Sequence, residues 1–222
     1  MTYTEILTDA WNQADDTVKP YLWSDDLWIS YVNTVLDELC ERTQLLIDSI
    51  DTDICQLSII SGTASYALSN KIITVLDVWN NSDNLPLDLY NTAQLNAYNT
   101  AWRSITAAAP TIYALDVSSG YITFVPKPTA SATIKLRVVR TIKEPATSTT
   151  LTNTPEIPVK YHHFLRDGIL YHAYNKNDAE TRDPAKIAYY KGEWERWIET
   201  IYMAEKRYQH VERVISPNYG NI

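Results

Sequence analysis

Apolar positions recur at helical spacing at both ends of this chain and at strand spacing through its middle. The longest helical pattern runs from Pro155 to Val214, opening Pro155-Glu156-Ile157-Pro158, where Pro158 fits a first helical turn because its missing N–H has no partner there anyway. Phe164, Leu165, Gly168, Ile169, Tyr171 and His172 share one face, and Asn175-Lys176-Asn177-Asp178 interrupts it. Asp183 as N-cap and Pro184 at the first position restart a helix whose stripe is Ile187, Tyr190, Trp194, Trp197, Ile198 and Ile201. This predicts an antiparallel helical hairpin with two apolar stripes to cover.

The N-terminal stretch supplies the matching surface. Thr2 or Thr4 caps a helix to about Asp15 carrying Ile6, Leu7, Ala10, Trp11 and Ala14, and Pro20 ends it. Ser24 heads a second helix, with Asp25 and Asp26 in the first turn where the helix dipole favours carboxylates. Its stripe of Leu27 or Trp28, then Tyr31, Val32, Val35, Leu36 and Leu39, runs on through Leu46 to about Ile47. The simplest arrangement is one bundle built from both chain ends.

Between them the pattern changes to short strands. Gln56–Ile60 and Ser65–Leu68 flank a turn at Gly62, and Ile72–Trp79 is β-branched and apolar. Leu85–Leu89 reads as an edge strand, since Pro86 cannot donate to a ladder. Gln94–Ile105 reads as a helix with Leu95, Tyr98 and Trp102. A hairpin joins Thr111–Leu115 to Tyr121–Val125, and Ile134, Leu136 and Val138 alternate with Thr133, Lys135 and Arg137 in the last strand. The expected fold class is therefore α+β: a helical bundle with an inserted antiparallel β-sandwich or barrel. The segments are N-terminal helices at 1–53, a β-rich insertion at 54–145, a helical hairpin at 146–214 and an arm at 215–222.

Charge sharpens this picture. Residues 1–53 carry twelve acids and two bases, whereas 54–154 carry five and seven, and 155–222 carry ten of each. No segment is basic enough to grip nucleic acid through its phosphates. The acids Asp25, Asp26, Asp37, Glu38 and Glu41 cluster on the second helix, as a solvated face or a functional one. Sixteen Tyr and seven Trp against two Phe favour half-buried surfaces such as subunit contacts. For Trp23, Trp28, Trp79, Trp102, Trp194 and Trp197, packing within one subunit is the competing role. Cys40 and Cys55 lack metal-ligand spacing and read as buried free thiols of a reducing cytoplasm. No apolar run nears the ~20 residues of a membrane helix, and no signal-peptide pattern precedes the first helix.

Candidate chemistry is thin. His162, His163 and His172 with Asp167 and Asp178 lack HExxH-type spacing, and His162, Arg166 and Asp167 read as covering a helix surface. Asp51-Thr52-Asp53 has neither the glycine nor the distal glutamate of a calcium loop. Asp77 and Asp88 do not stand out as a hydrolytic pair, five glycines leave no phosphate-cradling loop, and no G-x-S-x-G occurs. The chain does not read as an enzyme, and no cofactor or metal is expected.

An ordered set of short motifs carries a resemblance. It comprises Gly62 with Tyr66-Ala67-Leu68, Ile72–Val78, Leu85-Pro86-Leu87, Pro110-Thr111-Ile112-Tyr113 and Phe124-Val125-Pro126-Lys127-Pro128. Pro155-Glu156-Ile157-Pro158 then leads to Leu165 and Gly168-Ile169-Leu170, and Lys176-Asn177-Asp178 precedes the helix bearing Trp194. Over residues 20–205 this order resembles the head-to-tail adaptor proteins of tailed bacteriophages, the group that includes the tail tubular protein A of short-tailed phages. Ser69 departs from it, where many relatives place proline.

The resemblance implies a dodecameric virion ring, assembled in the host cytoplasm, that sits below the portal protein with helices lining the DNA channel. Double-stranded DNA would pass without specific binding, past Asp25, Asp26, Asp37, Glu38 and Glu41. The β insertion would face tail nozzle or tail fibre proteins. Portal or subunit contacts would come from Trp194, Trp197, Tyr202 and Tyr208 and from an arm carrying Ile215, Pro217, Tyr219 and Ile222. The alternative reading is a β-sandwich module binding glycan or protein, with exposed aromatics such as Trp79 and Tyr113 on one face.

Overall fold

The computed structural model describes residues 1–16, 22–82, 84–177 and 181–210, with side chains as far as Arg207. The expectations at Pro20 and Asp178 and for the arm lie outside these residues. Helices α1 (Tyr3–Ala14) and α2 (Asp25–Thr43) open the chain. Strands β1 (Ile47–Asp48), β2 (Gln56–Ile59), β3 (Ser65–Ala67), β4 (Ile72–Asn80) and β5 (Asp88–Leu89) follow, then helix α3 (Thr92–Tyr98) and a 3₁₀ turn at Trp102–Ser104. Strands β6 (Thr106–Ala107), β7 (Ile112–Ala114), β8 (Tyr121–Val125), β9 (Lys127–Pro128) and β10 (Ala132–Arg140) complete the middle. A 3₁₀ helix at Val159–Phe164 leads into α4 (Leu165–Tyr174) and α5 (Pro184–His210). The fold is α+β, with terminal helices and inserted sheets. By compactness the chain falls into a helical unit, Met1–Leu45 with Ile142 onward, and a β unit, Leu46–Thr141.

The helix starts follow their caps. Thr2 accepts from the Glu5 amide while Glu5 reaches back to the Thr2 amide, a capping box that opens α1. Ser24 accepts from the Leu27 amide at the head of α2, and Asp183 accepts from the amides of Ala185 and Lys186 at the head of α5. Two further amides of the first turn of α1 are bonded by the Thr-rich linker at 146–154, Tyr3 to the Asn153 carbonyl at 3.0 Å and Thr4 to that of Leu151 at 2.9 Å. The linker is thus part of the bundle.

The expected run of α2 to Ile47 is corrected. Gln44 takes the left-handed conformation, φ 54°, and its amide closes on the Cys40 carbonyl, so the helix ends at Thr43 and Ile47 enters β1.

Helix α4 is the hub of the helical unit and packs against α1, α2 and α5. Leu165, Asp167, Gly168, Ile169, Leu170, Ala173 and Tyr174 are all buried, which is wider than the single face expected. Gly168 sets the spacing: a Cβ there would lie 2.9 Å from the Trp194 ring and 2.9 Å from Val35 Cγ1. An aromatic chain runs alongside, with Trp23 5.3 Å from Trp28, edge-on to Tyr174 at 5.6 Å, and Tyr174 stacked on Tyr190 at 5.8 Å.

In the β unit β10 is central. It pairs antiparallel with β4 on one side, and with β2 and then β1 on the other. The second sheet has the order β3-β8-β7-β5. Ile59, Val75, Val78, Ile134, Leu136 and Val138 of the first sheet share one core with Tyr113, Ile122 and Phe124 of the second. Leu95 and Trp102 cover Ile112, Ala114 and Val125 on the other face of the second sheet, so that sheet is buried on both sides.

The sheets are not wholly antiparallel as expected: β5 pairs parallel with β7, and β6 with β9. Parallel neighbours need a long crossover, and α3 supplies it between β5 and β7. The helix expected at Gln94–Ile105 is shorter and breaks at Asn99 before the turn at Trp102.

Candidate functional site

The expected site residues separate by exposure. Asp25, Asp26, Asp37 and Glu41 are exposed along α2, with Asp25 and Asp26 at its positive end. Glu38 lies one residue from Asp37 but is turned into the bundle. It accepts from Arg42 at 2.8 Å and from the Trp194 indole N–H at 3.1 Å. His172 Nε2 faces it at 3.8 Å, beyond hydrogen-bond reach. His172, Arg42 and Trp194 together hold the Glu38 carboxyl down to about 2, against the upward push of burial. Its charge is therefore used inside the helical unit, and the other four of the five acids are exposed to solvent.

Arg42 also binds Glu195 of α5 through both guanidinium nitrogens, Nη1 to Oε1 at 3.1 Å. The Glu195 bond leads in raising the Arg42 pKa, and Arg42 in turn depresses that of Glu195. These residues help wall a groove of about 720 Å³ that Gly192, Glu199 and Tyr202 of α5 also line.

The aromatic candidates divide likewise. Trp194 is 1 % exposed and packs on Gly168, so the expectation that it forms an outer contact is corrected to a core role. Trp23, Trp28 and Trp102 are also buried within their own units, as the packing alternative holds. Trp197, one turn beyond Trp194, is half-buried. It stacks on Phe164 at 3.7 Å, donates to Asp167 Oδ2 at 3.0 Å and carries Arg196 over its ring at 4.3 Å. Tyr202 is half-buried beneath Lys206 at 4.3 Å. Tyr208 lies within α5, while Ile215, Pro217, Tyr219 and Ile222 lie outside the described residues. Sequence reasoning passed over Tyr189 and Met203, which are 62 % and 50 % exposed on α5. Their position off the apolar stripe was the available signal.

The histidine and aspartate reading is corrected too. His162 is fully buried, its ring nitrogens 3.0 Å from the Met1 carbonyl oxygen and 2.9 Å from that of Ile157. Asp167 is also buried, held by Trp197 and Arg166. Asp167 joins α4 to α5, while His162 fastens the chain ahead of α1 and ahead of its own 3₁₀ helix, and neither covers a surface. Among the described residues no group of three or more His, Cys, Asp and Glu converges as metal ligands, and no helix is long and apolar enough to cross a membrane. Cys40 and Cys55 are buried and unlinked. Tyr113 is 3 % exposed and Trp79 only half-exposed, so these two do not form the exposed aromatic face that the glycan-binding alternative drew on.

The family model for the SU10 adaptor protein matches residues 1–217. Comparison with curated proteins finds no match. The match spans both units and the exposed acids and aromatics described above. The chain belongs to the SU10 adaptor protein family: it is a structural head-to-tail adaptor of a bacteriophage, a virion-neck component that meets other head and tail proteins, in a family that is not one of known enzymes.

Proposed function

We propose that the protein forms a ring, with twelve copies the expected number, that joins the portal to the tail and surrounds the passage for DNA. The observation that carries this reading is the exposed acidic face of α2. Asp25, Asp26, Asp37 and Glu41 stand in solvent, and among the described residues Asp25, Asp26 and Glu41 pair with no cation. A passage lined by such carboxylates repels phosphates at close range and lets a duplex move without sticking. Trp197 and Tyr202 on α5 are our candidates for contacts with portal or neighbouring subunits, since both present half-buried rings beside cations. Tyr208 and the segment carrying Ile215, Pro217, Tyr219 and Ile222 extend that set as a portal-binding arm. The β unit is assigned to tail nozzle or tail fibre proteins, and assembly to the host cytoplasm.

Mass photometry of the chain alone and with portal rings of the same phage tests the reading. A discrete portal complex carrying many added copies is the expected result. A chain that stays monomeric and leaves the portal mass unchanged overturns it.

A further inference from the structure

The β unit contains a cavity of about 190 Å³ that the adaptor reading leaves unassigned. Its wall includes Ser65, Trp102, Arg103, Val117, Thr123 and Lys127. Both charged residues are cations, and neither pairs with a carboxylate among the described residues. The other two arginines of the unit do have partners, Arg137 with Asp77 at 2.7 Å and Arg140 with Asp48 at 2.8 Å. Two cations that line one small cavity without a carboxylate partner make it favourable to an anion.

The cavity is also built from fixed parts. Trp102 is 3 % exposed, its indole N–H donates to Asn96 Oδ1 at 2.9 Å, and the Arg103 guanidinium lies over its ring at 4.2 Å. The Lys127 amide donates to the Ile105 carbonyl at 2.9 Å, which holds β9 beside the turn. Ser65 and Thr123 face each other across the β3–β8 pair, hydroxyl to hydroxyl at 2.9 Å; one donates to the other, and the second hydroxyl hydrogen is left for a ligand. Segments distant in sequence thus bring Arg103, Lys127 and the Ser65–Thr123 hydroxyl pair into the lining of one cavity, beside an indole and Val117.

We propose that this cavity binds a carboxylate on a short apolar stem, the side chain of Asp or Glu from a second copy of this chain. The guanidinium fork matches a carboxylate in two bonds, and the apolar wall takes the methylenes. The chain has the matching groups in excess, 27 acids to 19 bases, and away from the acidic face of α2 Asp88, Glu144 and Glu199 are exposed and pair with no cation among the described residues. The choice of a second copy rests on the ring reading; the chemistry of the cavity does not.

The cavity is tested on the full chain by titration with sodium propionate, which has the stem and carboxylate of Glu, against sodium chloride at equal ionic strength. Saturable shifts of the Ser65, Arg103 and Val117 amide resonances with propionate alone are expected. Lys127→Ala should weaken binding about tenfold, with Arg103→Lys similar because it keeps the charge and loses the fork. Shifts that follow ionic strength, or that survive both substitutions, overturn the proposal. Inorganic phosphate saturating the same resonances at lower concentration than propionate overturns the carboxylate assignment.

Zero-length carbodiimide cross-linking of mixed light and heavy copies assembled on portal rings tests the source. Lys127 joined to an Asp or Glu between light and heavy peptides supports the second copy. If rings form, propionate binds and no such link appears, the second copy is wrong. If no ring forms, the ring reading fails while the propionate result still stands or falls by itself.

Discussion

The Trp194 indole N–H donates to Glu38 Oε2 at 3.1 Å, joining the buried stripe of α5 to a carboxylate of α2. Replacing Trp194 with Phe removes the donor and part of the ring, leaving Glu38 to Arg42 and His172. We expect a loss of about 2–4 kcal/mol in urea unfolding, from lost packing and the missing bond together.

Gly168 and Gly192 offer opposite outcomes for one substitution. A methyl at Gly168 meets the Trp194 ring and Val35 at 2.9 Å, so Gly168→Ala should destabilise by about 1–3 kcal/mol despite the better helix propensity of alanine. Nothing lies within 4 Å of a Cβ at Gly192, so Gly192→Ala should stabilise by up to about 1 kcal/mol. Thermal unfolding of the two variants reads both signs, and equal effects would refute the close approach of α2, α4 and α5.

Acid should weaken the β unit through Asp48. Burial pushes its carboxyl up, but the Ile50 amide, the Arg140 guanidinium and the Asp51 amide outweigh burial and hold it down to about 2 from 3.8. A depressed carboxyl contributes stability above its unfolded pKa and loses it as pH falls through the folded value. The window is therefore about pH 4 down to about 2, and the contribution at neutral pH is about 2 kcal/mol. Asp48→Asn should lower neutral stability and flatten the curve across that window. A variant whose stability falls as steeply as the parent's would remove Asp48 from the account.

Both thiols should be silent in the native protein. Burial, reinforced by Asp48, pushes the Cys55 thiol up to about 11, and Cys40 is fully buried in α2. An aromatic disulfide reagent at neutral pH should titrate close to no thiol natively and two in denaturant.

Neutralising Asp25, Asp26, Asp37 and Glu41 together should leave the fold intact, since all four are exposed. By the channel reading, retention of the quadruple Asn/Gln variant on double-stranded DNA at low salt should rise and vanish with added salt. Unchanged retention in assembled rings would argue that these acids face elsewhere.

Much of the fold was legible because it is written locally. Thr2, Ser24 and Asp183 announce helix starts through hydrogen bonds to residues two or three away, and the alternation of Ile134, Leu136 and Val138 marks its strand unaided. What stayed hidden depends on neighbours distant in the chain. Trp194 and Trp197 sit on one stripe, yet only the geometry of Gly168 decides which is buried. Glu38 and Asp37 are adjacent acids, and the difference between them is set by Arg42 and Trp194. The parallel pairing of β5 with β7 was signalled only by the helix between them. For the site, the exposed acids were legible as a charge cluster. The cavity at Arg103 was not, because its walls come from four separate segments.

The pairing of β1 with β10 has a bearing on how the chain comes to be folded. Ile47 lies opposite Val139, and the Arg140 amide donates to the Leu46 carbonyl at 2.9 Å, so the β unit leaves and re-enters at one edge. The helical unit is split in sequence, and its halves must meet across the whole insertion. Closing a floppy loop of that length costs entropy before any helix contact repays it. Once the β unit has formed, the two halves are tethered by a pair of adjacent residues, and the search becomes a local one. Loosening that edge, for instance with proline at Ile47, should therefore slow refolding of the helices it does not touch.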